Sequence, residues 1–120
     1  MPDECVHGTY YRHWAFIREN GLAAGGIEHA FYRNHIHFSP YAPESQRGRR
    51  EISGMGNNCE VAIWIDMRQA IRDGIPFFMS LNQVILSPGI QGWIGRQYII
   101  KAKMIRSGQR LRLTPRNKRE

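Results

Sequence analysis

The sequence predicts an α+β domain in which short strands outnumber a few short helices, with a mixed or antiparallel sheet. The strand-length runs "HIHFS" (35–39), "CEVAIWI" (59–65) and "QYIIKAKMI" (97–105) are rich in β-branched and apolar residues and lie between polar or Gly- and Pro-bearing segments. Helical spacing is clear in two short stretches, residues 27–33 are ambiguous between a partial helical turn and a loop, and the helices do not alternate with strands as a parallel α/β fold requires. At 120 residues and 42% hydrophobic composition, the chain is one domain with a modest core.

In order, "CVHGT" (5–9) reads as a strand, with Thr9 as the expected N-cap of the first helix. Tyr10, Trp14 and Ile17 recur at i, i+4, i+7, a helical stripe that ends at Gly21. "HIHFS" is a strand, and a polar loop from Pro40 to about Asn58 comes after it, long enough in a small domain to point to function or disorder. "CEVAIWI" is a buried strand. "DMRQAIRDG" is a helix capped by Asp66, with Gln69 placed to complete a capping box and Gly74 at the C-terminal stop. "PFFMS" and "QVILS" are strands around "LNQ", and Pro88-Gly89 closes the second. "QYIIKAKMI" sets Ile100, Ala102 and Met104 against Lys101 and Lys103 as a half-exposed strand, and "RLRL" (110–113) is a candidate edge strand.

Charge is unevenly placed. Residues 1–100 carry nine Lys/Arg and nine Asp/Glu, whereas residues 101–120 carry eight Lys/Arg against Glu120, which accounts for the whole net +7. Residues 1–105 are therefore expected to form the domain and 106–120 a basic tail, suited either to polyanions or to solubility. No apolar run reaches the ~20 residues that span a bilayer, and "MPDECV" is not a signal peptide, so a cytoplasmic or nuclear location is expected. Two cysteines, Cys5 and Cys59, with no CxxC, imply free thiols.

The pair His35 and His37 poses the functional question. On a strand they share one face, with Ile36 and Phe38 on the other. Such a face serves a metal, a substrate cleft, or solvent alone. A metal site needs three or four ligands, and no spacing brings His7, His13, His29 or Cys59 to complete one, so none is expected. The cleft reading gains from His7, Gly8 and Thr9, expected at a helix N-terminus where free N–H groups favour phosphate.

Taken together, "CVHGTYYRHWAFIRENGL", "RNHIHFSP", "EISGM", "CEVAIWIDMRQAIRDGIPFFMS" and "VILSPG" resemble the C-terminal lobe of the RNA 2′-phosphotransferase family, which includes the tRNA-splicing enzyme, from about Cys5 to Lys103. The resemblance implies an ADP-ribosyltransferase-like split β-sheet core that grips NAD, the co-substrate, between two small sheets. It implies that an RNA 2′-phosphate attacks the nicotinamide-ribose carbon and expels nicotinamide. A ribose hydroxyl then releases the RNA, leaving ADP-ribose cyclic phosphate. A phosphate with a second pKa near ~6 is already anionic at neutral pH, so positioning and cations matter more than a general base.

By the same resemblance His7, Gly8 and Thr9 hold the NAD ribose and phosphates, His37 faces the cleft with His7, Ser53 and Gly54 form a ligand-contacting turn, and Val84 lines the nicotinamide side. His7 and His37 are the expected catalytic pair. Two departures accompany the match. Gly56 stands where the family's Ser-Gly-Met-Arg motif has a phosphate-engaging arginine, and the chain begins where the family's N-terminal winged-helix lobe should end. Arg47, Arg49 and Arg50 are candidates for the missing cation and for RNA phosphate. The alternatives are a non-catalytic module that binds NAD, ADP-ribose or RNA phosphate, and an ADP-ribosyltransferase acting on nucleic acid or protein.

Overall fold

The computed structural model describes residues 1–25, 35–43 and 58–114. The elements in chain order are β1 (Glu4–Thr9), a 3₁₀ turn (Tyr11–His13), α1 (Trp14–Asn20), β2 (Leu22–Ala23), β3 (Ile36–Phe38), β4 (Val61–Asp66), α2 (Met67–Arg72), β5 (Phe78–Met79), β6 (Ile85–Ser87), β7 (Trp93–Ile94), a second 3₁₀ turn (Arg96–Tyr98) and β8 (Ile99–Met104). All strand pairs are antiparallel. They form an α+β arrangement of two three-stranded sheets, ordered β1-β4-β8 and β3-β6-β5, and a two-stranded ribbon of β2 and β7.

Among the described residues one backbone bridge joins the two larger sheets. Val6 and Ser39 form an isolated antiparallel bridge, exchanging N–H···O bonds of 2.9 and 2.8 Å. Beyond it β1 pairs with β4 and β3 with β6. One hydrophobic core draws on both sheets: Cys5, Ile63, Ile65 and Ala102 from the first, Ile36, Phe38 and Ile85 from the second, with Trp14 and Ile17 of α1 and Met67 and Ala70 of α2. The other face of the first sheet carries a small cluster of Val6, Ala62 and Trp64, where Lys101 Nζ stands 4.3 Å from the Trp64 ring centroid as a cation–π contact.

Local chemistry explains most boundaries. The apolar stripe of α1 buries Trp14 and Ile17, and Gly21 ends the helix at φ +92°, with its N–H on the Ile17 carbonyl. The Asp66 carboxylate accepts from the Gln69 N–H at 3.1 Å and caps α2 as expected. The Gln69 side chain does not return to Asp66; it donates to Asp73 at 3.0 Å.

Three sequence expectations are corrected. Thr9 caps no helix: it is the last residue of β1, opposite Val61, and the Glu60 carboxylate instead accepts the Tyr11 N–H at 2.9 Å. In β8 the register runs Trp64↔Lys101 and then Ile65↔Ile99, so a bulge leaves Ile100 as the extra residue. Ile99 turns into the core in its place while Ile100 is exposed. "RLRL" forms no strand; Arg110 makes one bridge to Lys103, and Leu111 and Leu113 pack against the core.

Candidate active-site edge between the two sheets

β1 sends Cys5, His7 and Thr9 to the core side of the first sheet, since side chains alternate along a strand. His7 lies opposite Ile63 and, beside the bridge to β3, meets the second sheet. Its Nδ1 is 2.8 Å from the His37 carbonyl oxygen, and its ring stands edge-on to Phe38, centroids 5.8 Å apart. A carbonyl only accepts, so Nδ1 donates; in the neutral ring Nε2 is then left as an acceptor. Burial lowers the His7 pKa below its ordinary value; the bond to the His37 carbonyl opposes that shift, and the nearby His37 ring adds to it.

His37 is exposed between buried Ile36 and Phe38, as the alternation in "HIHF" requires. His35 lies just before β3, half-buried, with its ring edge-on to Phe78 at 6.3 Å. Val84 immediately precedes Ile85, the register partner of Phe38, which puts it at the end of β6 level with the Val6–Ser39 junction. Its N–H is held by the Ser80 hydroxyl at 3.0 Å, and next to it Gln83 (φ +64°) is bonded through its side chain to the Tyr41 hydroxyl. Chain order alone does not reveal this Tyr41–Gln83 tie, because 42 residues separate its partners.

The expectation that His7, Gly8 and Thr9 offer a helix N-terminus to phosphate is corrected. His7 and Gly8 lie within β1, opposite Ile63 and Ala62, Thr9 ends the strand, and the first turn's N–H at Tyr11 is taken by Glu60. Any ligand there meets a strand edge and an imidazole rather than a helix end. Ser53, Gly54, Gly56, Arg47, Arg49 and Arg50 lie outside the described residues.

Among the described residues no three His, Cys, Asp or Glu side chains gather as a metal set would. Cys5 and Cys59 are free thiols; burial raises both pKa values, that of Cys59 to about 11, which leaves them un-ionised and poorly nucleophilic at neutral pH. No helix among the described residues is long and apolar enough to cross a membrane.

The described residues thus define an α+β fold of small antiparallel sheets, with an oriented histidine where two of them meet. The family follows from comparison: residues 1–89 match the model of the RNA 2′-phosphotransferase, Tpt1 / KptA family, and the chain belongs to it. It is 41% identical over 107 residues to tRNA 2′-phosphotransferase 1 of Homo sapiens, covering 88% of this chain and 39% of the relative. The Danio rerio protein of the same name is 44% identical over 88 residues, 73% of this chain and 35% of the relative. A putative tRNA 2′-phosphotransferase of Schizosaccharomyces pombe is 34% identical over 98 residues, 82% and 24%. The chain thus spans about two fifths or less of the length of these curated relatives.

Proposed function

We propose that this chain is the NAD-binding lobe of an RNA 2′-phosphotransferase, which moves a 2′-phosphate from RNA to the ADP-ribose of NAD. The observation that carries the proposal is the His7–His37 junction. An imidazole that donates through Nδ1 to a backbone carbonyl, and that burial keeps neutral, presents Nε2 as a fixed acceptor. A fixed neutral acceptor suits a ribose hydroxyl better than a phosphate, which needs donors or cations. His7 therefore orients the ribose, Gly8 and Thr9 continue the same strand edge, and Val84 and the exposed His37 flank the junction.

NAD supplies an electrophilic ribose carbon with nicotinamide as the leaving group. The protein's part is to hold that ribose still and to collect cations around two anionic partners. Within the sequence Arg47, Arg49, Arg50, Ser53 and Gly54 are the candidates for the phosphate side. Membership of the family and the relatives named tRNA 2′-phosphotransferase support an RNA substrate.

One observation favours a second reading. Gly56 leaves the family's arginine position without a side chain, and a lobe that binds NAD or ADP-ribose without turnover would show the same His7 junction. Incubation with NAD and a 2′-phosphorylated oligoribonucleotide separates the two. Release of nicotinamide with ADP-ribose cyclic phosphate is the result expected of the transferase. Thermal stabilisation by ADP-ribose without product would identify the binding module. Neither stabilisation nor product, at millimolar nucleotide, would end both.

A further inference from the structure

We propose a second phosphate site, for the RNA backbone, in the pocket between α1, the Arg96–Tyr98 turn and the Leu113–Thr114 segment. It rests on the RNA reading above. The pocket encloses about 370 Å³ and shares no lining residue with the His7 junction. Its polar lining comes from Arg18, Arg96, Gln97 and Thr114, and its apolar lining from Trp14, Ile99 and Leu113. Among the described residues no acidic side chain lines it.

Arg18 is the telling residue. Its Nε is buried and has no hydrogen-bond partner, the one such side-chain atom among the described residues. Buried donors in folded proteins are almost always paired, and a guanidinium donor most of all. Arg96 approaches Glu19 at 3.7 Å with both side chains about half exposed. A pair so exposed and so long is weak, so an incoming anion can take the arginine from it.

Two planar guanidinium groups over one cavity suit a tetrahedral oxyanion, which accepts several N–H bonds at once. Among the described residues the pocket is lined by cationic, amide, hydroxyl and apolar groups, a lining suited to holding an anion. Trp14 is only 4% exposed and has little face free for a base to stack on, so the ligand is a backbone phosphate and not a nucleobase. RNA is favoured over other anions because the chain's entire excess of positive charge lies in residues 101–120, the segment that supplies Leu113 and Thr114.

The test uses a fluorescent single-stranded RNA 12-mer without a 2′-phosphate, its binding followed by anisotropy across a salt series. Arg18→Gln and Arg96→Gln are compared with Arg72→Gln, an exposed arginine on α2 outside the pocket. Each pocket variant is expected to weaken binding and to lower the log–log salt slope by about 0.7, the value of one single-strand phosphate contact. Arg18→Lys should restore most of the slope, which a folding defect would not allow. In the protein as it stands, inorganic phosphate should shift the Arg18 Nε–Hε NMR resonance. Slopes for the pocket variants equal to that of Arg72→Gln would overturn the proposal. So would loss of ADP-ribose stabilisation in Arg18→Gln, which would assign the pocket to the dinucleotide. Failure of the transferase reading is seen separately, as the absence of nicotinamide release and of any ADP-ribose shift in the unmodified protein.

Discussion

At His7 the hydrogen bond that orients the ring and the burial that keeps it neutral act together, and both are measurable. The folded-state pKa lies below the ordinary value of ~6.5. Above that pH both folded and unfolded chains carry a neutral ring, so the folded state pays no penalty. As pH falls below ~6.5 the unfolded chain takes up the proton first, and stability is lost progressively until the folded pKa is passed. Urea titrations between pH 7.5 and 5 should therefore show a fall in stability that is smaller in His7→Gln; equal falls in both proteins would remove the neutral-acceptor argument. On the proposed function, ADP-ribose at a hundredfold excess over Kd should stabilise the intact chain by ~2.7 kcal/mol, and His7→Ala should abolish the accompanying rise in melting temperature. An undiminished shift in His7→Ala would place the nucleotide elsewhere. The sequence indicated His7 and His37 through their motifs, and alternation correctly put Ile36 and Phe38 inside with His37 outside. It could not indicate that the His37 backbone carbonyl is what His7 binds, because that contact depends on the Val6–Ser39 bridge between two sheets.

At the scale of elements, the features written in local chemistry were legible and those set by distant partners were not. The α2 cap is local: Asp66→Ala removes the acceptor for the Gln69 N–H and should cost ~1 kcal/mol, a loss of about 4 °C in Tm for a domain near this size. No change in Tm would mean that α2 is held by Met67 and Ala70 in the core alone. The α1 stop is local in sequence but tertiary in consequence. Gly21 was recognisable as a terminator, yet a Cβ there would lie 2.2 Å from the Ile94 carbonyl oxygen of β7. Gly21→Ala should therefore cost on the order of 2–3 kcal/mol, combining left-handed strain with that clash, and thermal unfolding would register it; a loss below that of Asp66→Ala would be inconsistent with so close an approach. The ribbon of β2 and β7 itself left no periodic signal, since two-residue strands are too short to show one. The bulge at Ile100 was equally silent, because "IIKAK" alternates well in a register that β4 does not use. Thr9 resembled a cap for the same reason: Glu60, the group that takes the Tyr11 N–H, lies 49 residues away.

For the molecule as a whole, the last stretch of chain combines two roles that charge counting alone treats as one. Residues 101–120 hold the entire net charge of +7, which argues for a tail that contacts RNA and could be removed without harm. Yet Leu111 N–H bonds to the Ala102 carbonyl at 2.8 Å, Met104 N–H to the Gln109 carbonyl at 2.8 Å, and Leu111 and Leu113 cover the core. Leu111 and Leu113 thus pack against the body, and a cut that removes them exposes apolar surface as well as deleting charge. Two truncations separate these effects. Ending the chain after Thr114 removes Arg116, Lys118 and Arg119 with Glu120, a net change of two positive charges, and leaves Leu111 and Leu113 in place. It should lower the salt slope of RNA binding while ADP-ribose stabilisation persists. Ending it before Ser107 also strips the two leucines and the Lys103–Arg110 bridge, and should lower Tm by more than the shorter cut does. It should also open the Arg18 pocket, whose wall includes Leu113 and Thr114. If instead the two truncations melt at the same temperature, residues 107–114 contribute no packing, and the boundary between domain and tail belongs near residue 105. If RNA binding keeps its full salt dependence in both, the basic segment serves solubility, and the RNA must be held by other cations of the chain.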